Sequence, residues 1–137
     1  MLPRNKRKPR AAGQSMKALR GSVLVGIGID LLSLERAREL LSRHGRSFFD
    51  RILSPAEKRK KLTCSPLQLA RYFTAKEAFF KASNLAWADM DGFSGMWIES
   101  INEKHFKMRC KYSDLRGEGT FFKTGRNLGA KVMTWKR

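Results

Sequence analysis

Acidic residues are scarce in this chain: 12 Asp and Glu stand against 29 Lys and Arg over 137 residues, a formal net charge of +17 at pH 7. A field of that sign argues against polycations and for polyanions as partners: nucleic acid, an anionic membrane surface, phosphate-rich cofactors or an acidic protein. Cysteine is almost absent. Cys64 and Cys110 are too few for a disulfide framework and lack the spacing of a zinc site, so a reduced, soluble compartment, the cytoplasm, is expected. No stretch approaches the roughly 20 apolar residues of a membrane span, so no membrane partner is expected. What is present is a 42% hydrophobic chain with the length of one domain, able to bury roughly two-thirds of its unfolded surface without staples.

The charge is unevenly placed. Residues 1–20 hold seven bases (Arg4, Lys6, Arg7, Lys8, Arg10, Lys17, Arg20) and no acid. With Pro3 and Pro9 and almost no apolar periodicity, this segment reads as a flexible basic arm. It has no apolar core of a secretory signal; an organelle-targeting peptide is the alternative, against which stand its few serines and weak amphipathic pattern. The domain is expected to span 21–137.

Ser22 to Asp30 reads as a buried strand, with Val23, Val25, Ile27 and Ile29 on one face and Leu24, Gly26, Gly28 and Asp30 on the other. Two glycines in line with an acid leave space for backbone or ligand to come close. The Gly-x-Gly is not a dinucleotide fingerprint, because the third glycine and an immediate helix start are missing. A helix follows from about Ser33 to Arg43, with Leu34, Ala37, Leu40 and Leu41 as its apolar stripe and Arg36, Arg38 and Arg43 off it. Phe48, Phe49, Ile52 and Leu53 continue the core. Ser54-Pro-Ala-Glu57 and Ser65-Pro-Leu-Gln68 then repeat one grammar: a Ser N-cap, Pro in the first turn, and Glu or Gln at the third position. The first predicts a short helix carrying Lys58–Lys61, the second a long helix through about Asn84. Met96–Ile101 and Phe106–Tyr112 read as strands, 113–129 as a glycine-punctuated loop region, and Ala130–Trp135 as a final strand. Strand, helices, then strands predict an α+β fold.

On the long helix Glu77 and Lys81 are four residues apart and share a face, while Leu69, Phe73 and Phe80 mark a buried stripe. The plain reading of Glu77–Lys81 is an exposed helical ion pair worth about 0.3–0.5 kcal/mol. Asp30 changes the problem, because a carboxylate ending a glycine strand must meet something. A divalent cation shared with a second carboxylate would satisfy it, in the manner of Mg²⁺, which keeps much of its hydration. A helix N-terminal charge for the helix beginning near Ser33 is the other reading.

These residues resemble a family. Val25-Gly-Ile-Gly-Ile-Asp30 followed by Arg36, then Arg51-Ile-Leu53 with Glu57, then Ala70-Arg-Tyr-Phe-Thr-Ala-Lys76-Glu77-Ala78-Phe-Phe-Lys81-Ala82 is similar to the 4′-phosphopantetheinyl transferases, in their short holo-[acyl-carrier-protein] synthase type. The resemblance covers residues 22–84. It implies an α+β fold in which a small antiparallel sheet packs against a long central helix and shorter helices. It implies that coenzyme A donates its phosphopantetheine arm to a serine of an apo carrier protein, Mg²⁺-dependently, releasing adenosine 3′,5′-bisphosphate, with fatty-acid biosynthesis the implied setting. By position, Asp30 and Glu77 would ligate Mg²⁺. Glu77, directly or through a metal-bound water, would help deprotonate the acceptor serine, and Lys81 would stabilise or protonate the leaving phosphate. Lys76 and Arg71 are further candidates for coenzyme A phosphate contact, with plain surface the other reading of Lys76. The acidic carrier protein would dock on the helix after the Gly-x-Asp strand and its exit, where Arg36, Arg43, Arg46 and Arg51 stand, and a homotrimer is implied. The chain departs from the family after Lys81, where Ala82-Ser83-Asn84 carries asparagine in place of the usual glycine, and before the last strand, where the family's Ser/Thr-rich segment with a histidine is absent.

Two other functions stay open from the residues. One is a basic nucleic-acid-binding module using the arm, the Lys58–Lys61 run and Trp87, Trp97 and Trp135 as stacking surfaces, against which stands the absence of any nucleic-acid motif. The other is a non-catalytic relative that holds carrier proteins.

Overall fold

The computed structural model describes residues 21–137; the basic arm expected over 1–20 lies outside them. The first strand, β1 (Val23–Ser33), leads into α1 (Leu34–His44), α2 (Arg46–Arg51), α3 (Pro55–Arg59) and the long α4 (Pro66–Ser83). After α5 (Trp87–Met90) and a 3₁₀ turn over Gly92–Gly95 come β2 (Met96–Ile101), β3 (His105–Cys110), β4 (Leu115–Thr124) and β5 (Asn127–Lys136). All strand pairs are antiparallel, in the order β1-β5-β4-β3-β2. The fold is α+β, with α4 lying against one face of the sheet.

The helix starts follow from the capping grammar. Ser33 Oγ accepts from the Arg36 amide, Ser54 Oγ from the Glu57 amide and Ser65 Oγ from the Gln68 amide. Each bond satisfies one of the backbone donors that a helix start leaves unpaired. At the other end of α4, Asn84 takes the left-handed conformation (φ 60°), which asparagine tolerates better than most side chains. Its Nδ2 donates to the Val25 carbonyl at 3.0 Å, so the helix end is tied to β1.

Gly26 and Gly28 set the distance between β1 and α4. A Cβ on Gly26 would stand 2.6 Å from the carbonyl oxygen of Ala82, and one on Gly28 would overlap that of Ala78. Only glycine lets the strand backbone come this close to the helix backbone. Thr134 of β5 completes the seam, its Oγ1 donating to the Ala82 carbonyl.

Three expectations are corrected. Residues 22–30 do not form a buried strand: β1 is an edge strand, and Ile27 and Ile29 are 63% and 50% exposed on the face away from α4. An apolar run reports that a strand wants cover, not that its own chain supplies it. The segment 113–129 is not mainly loop, since β4 and β5 form a long hairpin through it. Gly117 and Gly119 face inward, where added side chains would collide with the rings of Phe79 and Phe106. These glycines make room for aromatics rather than turns. Finally, α4 has no narrow stripe. Leu69, Ala70, Tyr72, Thr74, Ala75, Lys76, Ala78, Phe79, Ala82 and Ser83 are all buried, whereas Phe73 and Phe80 are only partly so.

Candidate active site

The close approach of β1 to α4 puts Asp30 beside the second half of the helix. Asp30 is on the same face as Gly26 and Gly28, and Lys81 Nζ donates to its Oδ1 at 3.0 Å and to the Ile29 carbonyl at 3.1 Å. The Asp30 side chain is 15% exposed and that of Lys81 50%, so the lysine reaches from solvent to a largely covered carboxylate. Lys81 therefore pairs across the fold and not with Glu77 one turn earlier, which removes the plain reading of Glu77–Lys81 as a helical ion pair. The side-chain cap of α1 comes from Ser33 and not from Asp30.

Glu77 completes the group. Its carboxyl pKa is pushed above the usual carboxylate value first by burial and then by the negative charge of Asp30, with Lys81 pulling it back. Asp30 Oδ2 is buried with no hydrogen-bond partner. A buried carboxylate oxygen without a donor, next to a second carboxylate that its charge disfavours, is an arrangement a hard cation relieves. Among the described residues no three His, Cys, Asp or Glu side chains converge on one point. The protein thus offers two carboxylates, which fits Mg²⁺, an ion that fills its remaining positions with water and phosphate oxygens.

Lys76 is corrected from candidate phosphate contact to interior residue. It is fully buried, with Nζ 2.6 Å from Glu57 Oε1, 2.8 Å from the Ile52 carbonyl and 3.3 Å from the Phe93 carbonyl. Its ammonium pKa is lowered by burial, against which the Glu57 carboxylate acts. Glu57, expected only as the third residue of a cap, is 1% exposed and also accepts from the Ser54 and Ile98 amides. The Glu57–Lys76 pair ties α3, β2 and the 3₁₀ turn to α4 one residue before Glu77. The sequence carried a signal for Glu57 in its capping box and none for its partner.

Arg71 is half-buried on α4, with Nε unpaired. Arg36, Arg43, Arg46 and Arg51 are all exposed along α1 and α2, and Arg38 with them. Arg46 is the most engaged, meeting Asp50 at 3.4 Å and donating to the Leu62 carbonyl at 2.9 Å; Arg36 meets Glu39 at 3.8 Å. Of the tryptophans weighed as stacking surfaces, Trp135 is 4% exposed and so offers no stacking face, while Trp87 is 40% exposed and packs edge-on against Phe80 and Phe93. No helix among the described residues is long and apolar enough to cross a membrane.

Residues 26–127 match the model of the 4′-phosphopantetheinyl transferase superfamily. The chain belongs to that superfamily. Within the 4′-phosphopantetheinyl transferases its relatives are of the holo-[acyl-carrier-protein] synthase type. It is 39% identical over 89 residues to that enzyme from Geobacillus kaustophilus, covering 62% of this chain and 67% of the relative. It is 30% identical over 107 residues to the one from Desulfovibrio desulfuricans, covering 78% and 81%. The fold is shared with the holo-[acyl-carrier-protein] synthase of Neisseria meningitidis (TM-score 0.67, 24% identity, 82% of this chain and 98% of that one). It is also shared with the Bacillus anthracis enzyme solved in complex with CoA (3′,5′-ADP) (TM-score 0.64, 24% identity, 83% and 98%). The transferase-type match runs through Asp30, Glu77 and Lys81 and includes β4, the strand expected to be loop.

Proposed function

We propose that this protein transfers the 4′-phosphopantetheine arm of coenzyme A to a serine hydroxyl of an apo acyl-carrier protein, with Mg²⁺ as the metal and adenosine 3′,5′-bisphosphate as the leaving product. The observation that carries the reading is the meeting of Asp30, Glu77 and Lys81 across the β1–α4 seam. In the transfer, the serine oxygen bonds to the phosphorus bearing pantetheine, and the bond from that phosphorus to the bridging oxygen of adenosine bisphosphate breaks. Such a reaction needs positioning and charge neutralisation more than covalent chemistry from the protein. Asp30 and Glu77 would hold Mg²⁺, which would supply positive charge at the pyrophosphate. Glu77 takes the serine proton, directly or through water. Lys81, half in solvent, exchanges its hold on Asp30 for the leaving phosphate and neutralises or protonates it. Arg71 is proposed as a further phosphate contact.

The carrier side of the reading rests on charge. Arg36, Arg43, Arg46 and Arg51 form an exposed basic strip on α1 and α2, suited to an acidic carrier protein of fatty-acid synthesis. The uncovered apolar face of β1 and β5, with Ile27, Ile29 and Leu31 of β1 and Met133 of β5 exposed, supports assembly with further copies of the chain as a homotrimer, and the cytoplasm is the proposed compartment. Incubation with coenzyme A, Mg²⁺ and apo carrier should raise the carrier's mass by one phosphopantetheine. Carrier binding without transfer would identify a non-catalytic relative instead.

A further inference from the structure

The outer face of the sheet, away from α4, carries a second charged cluster that the transfer reaction does not use. Gly117 and Thr134 point toward α4, so their neighbours Arg116 and Trp135, cross-strand partners in the β4–β5 register, point the other way. Arg109 of β3 stands directly opposite Arg116. The three residues, with Lys107, Arg137 and the acids Glu99 and Glu118, line a hollow of about 110 Å³. That is room for about four waters at roughly 30 Å³ each, or for one tetrahedral oxyanion and its solvent.

Two features of this hollow call for an acceptor. The Arg116 Nε and the Trp135 Nε1 are buried donors with no hydrogen-bond partner, and Trp135 as a whole is only 4% exposed. An indole N–H can only donate, and an unpaired buried donor costs about 1–3 kcal/mol. Charge points the same way. Two guanidinium groups directly opposite on neighbouring strands repel. Two carboxylates line the same hollow and offset part of this charge: Glu99 pairs with Arg109 at 3.3 Å and Glu118 is the cross-strand partner of Lys107, which leaves Arg116 and Arg137 uncompensated. Among the described residues no carboxylate lies within ion-pair distance of Arg116 or Arg137. Water could accept from both donors but would leave the excess positive charge in place.

We infer that Arg116, Trp135, Arg109 and Arg137 form a binding site for a phosphate-class oxyanion on the sheet face opposite the Asp30–Glu77–Lys81 site. The anion accepts from Arg116 Nε and Trp135 Nε1 and lies between the facing guanidinium groups, turning a repulsive pair into a clamp. The site needs neither the substrates nor the metal of the transferase reading; it lies on the same sheet face as Met133, beside the apolar patch proposed for assembly.

The indole N–H of Trp135 is its reporter. In ¹H–¹⁵N spectra of the whole protein, inorganic phosphate added at constant ionic strength should move this resonance downfield and saturably, while chloride and acetate should not. Arg116→Gln should weaken the response on the order of tenfold or more, as expected for loss of a charge-assisted bond, and Arg109→Gln should weaken it too. Lys123→Gln, on the same strand but far from the hollow, and Glu77→Gln, on the opposite face, should leave it unchanged. Equal movement with phosphate, chloride and acetate would mean a hydrated pocket only. No saturable shift, or an unaltered shift in both arginine variants, would overturn the site.

Discussion

Lys81 Nζ lies 3.0 Å from Asp30 Oδ1 across 51 positions of sequence. A lysine on the last turn of a helix would ordinarily reach into solvent. Here it bends back to a carboxylate that β1 delivers because Gly26 and Gly28 hold strand and helix backbones at van der Waals distance. The glycines position the site without touching a substrate, and this gives the first test.

Gly28→Ala should destabilise the protein by about 1–3 kcal/mol, the range for forcing extra atoms into a packed interior, because the new methyl group meets the Ala78 backbone rather than a movable side chain. Denaturant unfolding reads the loss. Transfer activity should fall further than the folded fraction explains, since the substitution pushes Asp30 away from α4.

Glu77→Gln should lower transfer by a factor on the order of 10²–10³, the scale for removing one preorganised group at a reacting phosphoryl or acyl centre. The folded state should not suffer. A raised carboxyl pKa means that the ionised form is disfavoured by folding, so above the unfolded value the charge costs stability, and the neutral amide removes that cost. Thermal melting at neutral pH should therefore show an unchanged or higher midpoint. A large drop would mean that Glu77 is a structural residue.

The causes of the Glu77 shift predict its response to its neighbours. Removing Asp30's charge in Asp30→Asn should lower the Glu77 titration midpoint, and removing the ammonium in Lys81→Met should raise it. Carboxyl ¹³C shifts followed through an acid titration measure both. In the metal-free wild type the Glu77 midpoint should lie above the ordinary glutamate value, and adding Mg²⁺, which this carboxylate would ligate, should lower it.

Lys76→Met should cost about 3–5 kcal/mol, because it leaves the Glu57 carboxylate buried without its counter-charge. Glu57 keeps two backbone donors, so the lower end of the range is expected. Chemical denaturation gives the number, and a value near zero would show that the interior pair relaxes into solvent.

Charge reversal at Arg43 and Arg51 should slow carrier association and raise its KM, with kcat little changed. Exposed charges act mainly on encounter rates and are screened by salt. The difference between wild type and the double variant should shrink as ionic strength rises.

How much of this could be read from the residues depended on whether the signal was local. The Ser-Pro caps of α3 and α4 act within one turn, and the starts of both helices follow them. Asp30, Glu77 and Lys81 were legible as a set only through two motifs in order, because nothing local to either says that they meet. Lys76 was misread for a physical reason: α4 is enclosed on most sides, so a lysine beside Glu77 has no solvent side to occupy, and only the carboxylate of Glu57 makes its burial tolerable. The glycines of β4 were misread because sequence cannot tell a glycine that bends a chain from one that yields space to Phe79.

The pairing of β1 with β5 alone has a consequence for how the molecule is made. During vectorial synthesis the first strand emerges early and waits, its apolar residues uncovered, until residues 127–136 leave the ribosome. Contacts of such long sequence separation form slowly and leave aggregation-prone intermediates. Asp30 can therefore be fixed beside α4 only once residues 127–136 have been made, and a chain stopped before them carries α4 without the strand that holds β1 in place.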